Sequence, residues 1–227
     1  MFRIWRFKDD ESTLYVSFLG IVDKSVYFSG LDTELAPLSL SPLVPSSPKR
    51  SHAEVADSIP HVHKGFLLQY LAMEEHIHDL IAQSISGTGQ VDRIVFTGHS
   101  IGGAIATIAG VLARYVYADL TLEVITFGSP RVGDILFVEQ FARTVTSSLR
   151  VVRESDIIPI VYPIAASFHH VTDSMCIDCA TIPSREISPY SRIKLAVNSI
   201  GRSLMRHHEV ARYLKSIRDS LQSDMED

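Results

Sequence analysis

Apolar residues recur along this chain in three rhythms, and each rhythm predicts an element. Residues 3–7 alternate charged and apolar side chains, a turn-like Asp9-Asp10-Glu11-Ser12 follows, and Leu14-Tyr15-Val16-Ser17-Phe18 reads as a strand again. A period of two on both sides of a polar turn predicts a hairpin leading into a sheet. That strand ends at Leu19-Gly20-Ile21, and a longer segment runs on to Leu38. Residues 35–60 are rich in Pro and Ser and read as a surface loop, with Ser41-Pro42 and Ser47-Pro48 as ordinary loop dipeptides. From Gly65 to Ser86 the period lengthens to that of an amphipathic helix, with Leu67, Tyr70, Leu71, Ile77, Leu80 and Ile81 available for its buried face.

The third rhythm is a continuous apolar run. Ile94-Val95-Phe96 predicts a short buried strand, which breaks at Thr97-Gly98-His99-Ser100-Ile101-Gly102-Gly103 and becomes a helix rich in small residues. This is G-x-S-x-G on a strand-turn-helix, the arrangement of a nucleophile elbow. The turn leaves no room for side chains at Gly98 and Gly102, and it holds Ser100 strained at the apex. The unpaired N–H groups of the first helical turn lie beside that hydroxyl and can stabilise an oxyanion. An incidental serine in a glycine-rich turn would share the motif but not the strand before it and the helix after it.

Leu122–Phe127 and Leu149–Val152 read as further strands, separated by a helix from about Asp134, its N-cap, to Val145. Strands alternating with helices predict an α/β fold with a mostly parallel sheet covered on both faces. Ligands bind beyond the carboxyl ends of such strands, where Ser100 and Asp156 both fall. The tail from about Pro189 to Gln222 reads as helical, and the 227 residues read as a single domain, with neither a repeat nor a second domain.

Composition adds mainly exclusions. A net charge of −5 gives no electrostatic footprint for nucleic acid. No stretch approaches the roughly 18 apolar residues of a membrane span. The N-terminus lacks the apolar core of a secretion signal, so the expected location is cytoplasmic, or secreted if the chain is a mature form. Cys176 and Cys179 are the only cysteines and read as two loop thiols. With His169-His170 upstream they offer half of a zinc site and no second pair, so a metal is not expected.

A serine hydroxyl becomes a nucleophile when an imidazole takes its proton and a carboxylate orients that imidazole. In doubly wound hydrolases the order is serine, acid, histidine. Asp156 directly follows a strand and is the candidate acid. Asp173 and Asp178 lack a clear strand before them. The histidine must lie downstream, at His169, His170, His207 or His208, and spacing alone does not choose among them. His99 adjoins the serine, but its side chain is expected to point away.

Several blocks in order resemble the class 3 lipases, serine α/β-hydrolases that include fungal, plant and diacylglycerol lipases. Val62-His63-Lys64-Gly65-Phe66 is similar to V-H-x-G-F, Gly98-His99-Ser100-Ile101-Gly102-Gly103-Ala104 to the elbow, and Thr126-Phe127-Gly128-Ser129-Pro130-Arg131-Val132-Gly133 to T-F-G-x-P-R-V-G. Arg153-Glu154-Ser155-Asp156-Ile157-Ile158-Pro159 resembles the block whose aspartate is the triad acid, and His170-Val171 the structural H-V-G stretch. His208, with Tyr213-Leu214 after it, resembles the terminal D-H-x-x-x-x-Y-L motif, so the resemblance implies His208 as the catalytic base. It also implies an oxyanion hole from the amides of Ile101 and Ile21, with Ile21 preferred to Leu31, and a lid region over roughly residues 22–34.

The chain departs from the family pattern in places. Ile21 stands where a Thr or Ser assists the oxyanion, Leu19 where an Arg stands, His207 where an Asp precedes the base, and Thr172 where a Gly follows H-V. The implied activity is hydrolysis of lipid acyl esters, with transient contact to a lipid surface. The alternative is a catalytically silent lipase-like module that binds a partner or a lipid signal.

Overall fold

The computed structural model describes residues 1–20, 33–44, 59–88, 91–161, 163, 167–177 and 208–223. Its centre is a six-stranded sheet in the order β1-β2-β5-β6-β7-β8. The strands are β1 (Phe2–Phe7), β2 (Asp10–Phe18), β5 (Arg93–His99), β6 (Thr121–Phe127), β7 (Ser147–Val152) and β8 (Ser174–Cys176). β1 is antiparallel to β2, as the alternating hairpin predicts, and the other pairings are parallel. Phe18, Gly98 and Thr126 stand side by side across β2, β5 and β6. The parallel strands therefore end together along one rim.

The elbow helix α3 (Ile101–Ala113) is buried along its whole length. A helix apolar all round has no face for water and belongs inside. Its small residues allow close approach to the sheet: a Cβ at Gly110 would meet a Val124 methyl at 2.5 Å. α4 (Ile135–Thr144) buries Phe137 and Phe141 in the same core. Asp134 caps α4, its side chain accepting from the Phe137 amide at 2.8 Å. On the opposite face α6 (Val210–Ser223) brings Tyr213 edge-on to Phe127, whose side chain alternates away from buried Val124 and Thr126. Helices thus cover both faces of an α/β sheet.

Two predicted elements differ. The single helix over Gly65–Ser86 is two, α1 (Lys64–Leu71) and α2 (Glu74–Thr88). At the break the Met73 amide bonds to the Tyr70 carbonyl, three residues back, and Glu74 turns inward to accept from the Ser41 hydroxyl at 2.7 Å. The loop predicted over 35–60 begins as structure: β3 (Leu35–Pro37) pairs with β4 (His61–His63), and a 3-10 turn follows at Leu38–Leu40. Residues 45–58 of that stretch lie outside the described residues. Ser41 is buried, as befits a structural hydroxyl. Residues 189–207 of the predicted tail helix lie outside the described residues, and the chain is helical over Val210–Ser223.

Candidate active site

The sheet rim is built around the turn between β5 and α3. Ser100 has φ 60° and ψ −131°, the only non-glycine residue with positive φ among those described. Such a conformation costs about 1–3 kcal/mol and persists only where its surroundings enforce it. Here they do. The Ser100 amide donates to the Phe127 carbonyl at 2.9 Å. On the other side Gly102 presses against β2, where a Cβ would come within 2.3 Å of the Phe18 carbonyl oxygen. The serine is clamped between its two neighbouring strands.

His208, two residues before α6, brings its imidazole to that serine. Nε2 lies 2.6 Å from Ser100 Oγ, and Nδ1 lies 2.8 Å from Asp156 Oδ2. A carboxylate can only accept, so Nδ1 carries the proton and Nε2 is left to accept from the hydroxyl. All three residues are almost wholly buried, at 1% (Ser100), 0% (Asp156) and 2% (His208) exposure. Asp156 is itself held: Oδ1 accepts from the Ile158 amide at 3.0 Å, and Oδ2 also accepts from the Tyr213 hydroxyl at 2.6 Å. Burial, and then the charge of Asp156, raise the Tyr213 pKa, so this tyrosine stays a donor.

Gly128 has φ +57° and lies beneath this group. A Cβ there would meet Asp156 Oδ2 at 2.8 Å, Tyr213 Oη at 2.9 Å and His208 Cε1 at 3.2 Å. Only a residue without a side chain lets the three groups converge there.

The structure thus joins Ser100, Asp156 and His208 in one chain of hydrogen bonds. Ile101 stands next to them, buried at the first position of α3, where a helix has no carbonyl for its amide. Ile21, the other expected oxyanion donor, and residues 22–32 of the expected lid lie outside the described residues, as does His207. The strand leading to Ile21 is described: a Cβ on Gly20 would meet the His99 carbonyl oxygen at 3.0 Å, so this strand end abuts the elbow.

The remaining histidine candidates do other work. His169 bridges Gly133 through its backbone, and His170 Nε2 donates to the Pro159 carbonyl at 2.7 Å. Among the described residues no group of three or more His, Cys, Asp or Glu is arranged to hold a metal ion. Cys176 is disulfide-bonded, which corrects the reading of two loop thiols. His99 also departs from expectation. Its ring does not simply turn away but packs against His208, centroids 4.6 Å apart, and edge-on to Tyr213 at 5.4 Å. Burial, and then the neighbouring His208, push its pKa down to about 4, so it is neutral near pH 7. Sequence order removed His99 from the candidates for base, and no spacing marks a contact made 109 residues along the chain.

Residues 25–166 match the family described as Lipase (class 3). The secreted mono- and diacylglycerol lipase 1 of Fusarium solani is 30% identical over 52% of this chain and 34% of its own length. A chloroplastic phospholipase A(1) of Arabidopsis thaliana is 31% identical over 63% of this chain and 34% of its own. The triacylglyceride lipase of Rhizomucor miehei superposes with a TM-score of 0.60 at 25% identity, over 78% of this chain and 62% of that one. A triacylglycerol lipase whose catalytic centre is a serine protease triad superposes with a TM-score of 0.58 at 25% identity, over 81% and 67%. The chain spans about a third of the length of these two curated relatives.

Proposed function

This chain belongs to the class 3 lipase family, and from that premise we propose that it is a serine esterase acting on lipid acyl esters. The observation that carries the proposal is the unbroken hydrogen-bonded series Ser100–His208–Asp156 at the carboxyl rim of the sheet. Ser100 Oγ attacks the ester carbonyl while His208 Nε2 takes its proton, and Asp156 holds the imidazolium that forms. The Ile101 amide, with that of Ile21, receives the oxyanion. Collapse expels the alcohol, which takes the proton from His208. Water, deprotonated by the same nitrogen, then releases the acid and restores the serine.

No step calls for a metal or cofactor. The substrate class follows from relatives named for acylglycerols and phospholipids, and such a substrate brings the protein into transient contact with a lipid surface. Nucleic acid has no place in this reading. No helix among the described residues is long and apolar enough to cross a membrane. The cytoplasmic expectation finds no support among these relatives, which are named as secreted or chloroplastic. A disulfide-bonded Cys176 favours the secreted alternative, since disulfides persist in oxidising compartments. We read residues 1–227 as one catalytic domain.

A fluorophosphonate probe should label the wild-type protein and leave Ser100→Ala unlabelled, and purified protein should cleave short p-nitrophenyl esters. Wild-type protein that is folded yet neither labels nor cleaves would shift the assignment to the silent binding module.

A further inference from the structure

We propose that His99 is a positioning residue for His208, holding the base's imidazole in line between Ser100 and Asp156; this rests on the hydrolase reading above. The base arrives from a segment remote in sequence, 108 residues beyond the serine, and its two side-chain hydrogen bonds hold the ring only at its two nitrogens. Rotation about the axis through Nδ1 and Nε2, and drift normal to the plane, need a surface to stop them. His99 supplies it. Its ring lies 4.6 Å from that of His208 with the planes 34° apart, and it also meets the Tyr213 ring edge-on at 5.4 Å.

The nitrogen left over is instructive. His99 Nε2 is buried without a hydrogen-bond partner among the described residues. An orphaned buried acceptor is costly, and an apolar ring of similar shape would avoid that cost. A phenyl ring in its place would keep the surface against His208 without that orphaned nitrogen. The ring must also stay neutral, because His208 becomes cationic in each acyl transfer. The charged and titratable groups around the pair are Asp156, Tyr213 and Arg153, and burial keeps His99 uncharged among them.

The test is turnover per titrated active site in His99→Ala and His99→Phe, with sites counted by fluorophosphonate burst. His99→Ala should lower kcat per site roughly 10- to 100-fold with KM changed less than about 3-fold, because a misaligned base slows the chemical step without touching substrate binding. His99→Phe keeps the ring surface and should recover part of that loss. A parallel readout is the low-field proton resonance of His208 Nδ1–H, which reports its bond to Asp156 whether or not an ester is cleaved. It should be sharp in wild type and broadened or lost in His99→Ala. Unchanged kcat per site in His99→Ala, or an unchanged resonance, overturns the positioning role. Wild-type protein with the resonance but no turnover would instead overturn the hydrolase reading, and the resonance in His99→Ala would then decide the positioning role alone.

Discussion

Oδ2 of Asp156 accepts from both His208 and Tyr213, and this double acceptance sets what single substitutions do. Tyr213→Phe removes one donor from a buried carboxylate and should cost about 1.5–3 kcal/mol of stability. It should also slow ester cleavage, since the carboxylate loses part of what fixes its orientation. Urea unfolding and kcat together check this, and an unchanged unfolding midpoint would rule it out. At Ser100 the strain runs the other way. Ser100→Gly removes the nucleophile yet relieves a backbone conformation that favours glycine, so thermal melting should hold level or rise while labelling disappears. Sequence made the convergence of these residues legible in unequal measure. Asp156 could be read from its place after a strand, because topology dictates where the acid falls. His208 could not be separated from three other histidines by spacing, and only the resemblance selected it. The His99 contact was not legible at all: the ring that meets it belongs to a residue whose approach depends on the whole fold.

At the scale of elements, the strands were the most legible. A continuous apolar run marks β5, and alternation marks β1 and β2, because each pattern reflects one or two buried sheet faces. The break between α1 and α2 was not, since the apolar spacing continues from Tyr70 to Ile77 across it and the cause is the contact between Glu74 and Ser41. β3 was invisible because it has three residues and ends in a proline, inside a composition that otherwise reads as loop. α3 and β2 approach closely at Gly102. Gly102→Ala would push a methyl into the Phe18 carbonyl oxygen, which cannot swing aside as a side chain can. The loss should be at least the roughly 1–3 kcal/mol of ordinary overpacking, with activity falling as the elbow shifts. A variant with wild-type melting temperature and wild-type kcat would show the approach to be looser than described.

The molecule as a whole carries buried histidines that resist protonation. Burial lowers the pKa of His78, placed between the hydroxyls of Tyr70 and Tyr117, and pushes that of His99 down to about 4. Both lie below the ordinary value of 6.5, so unfolding at acid pH takes up protons that the native state refuses. Their contribution to stability is therefore complete above about pH 6.5 and is lost as the pH falls toward 4. The urea midpoint should drop from pH 7.5 to pH 5, and His99→Phe should flatten that slope. A midpoint that stays constant over this range would contradict the assignment. The order of the parts along the chain has a further consequence. Every strand of the six-stranded sheet precedes residue 177, whereas the imidazole sits at position 208. A single proteolytic cut between those two points removes no strand of that sheet, yet it severs the chain between His208 and the Ser100 hydroxyl it meets. The sheet with its serine and carboxylate, and the imidazole that joins them, are thus encoded on successive lengths of the polypeptide, and two co-expressed pieces should regain hydrolysis only by reassembling, the behaviour sought in a split reporter.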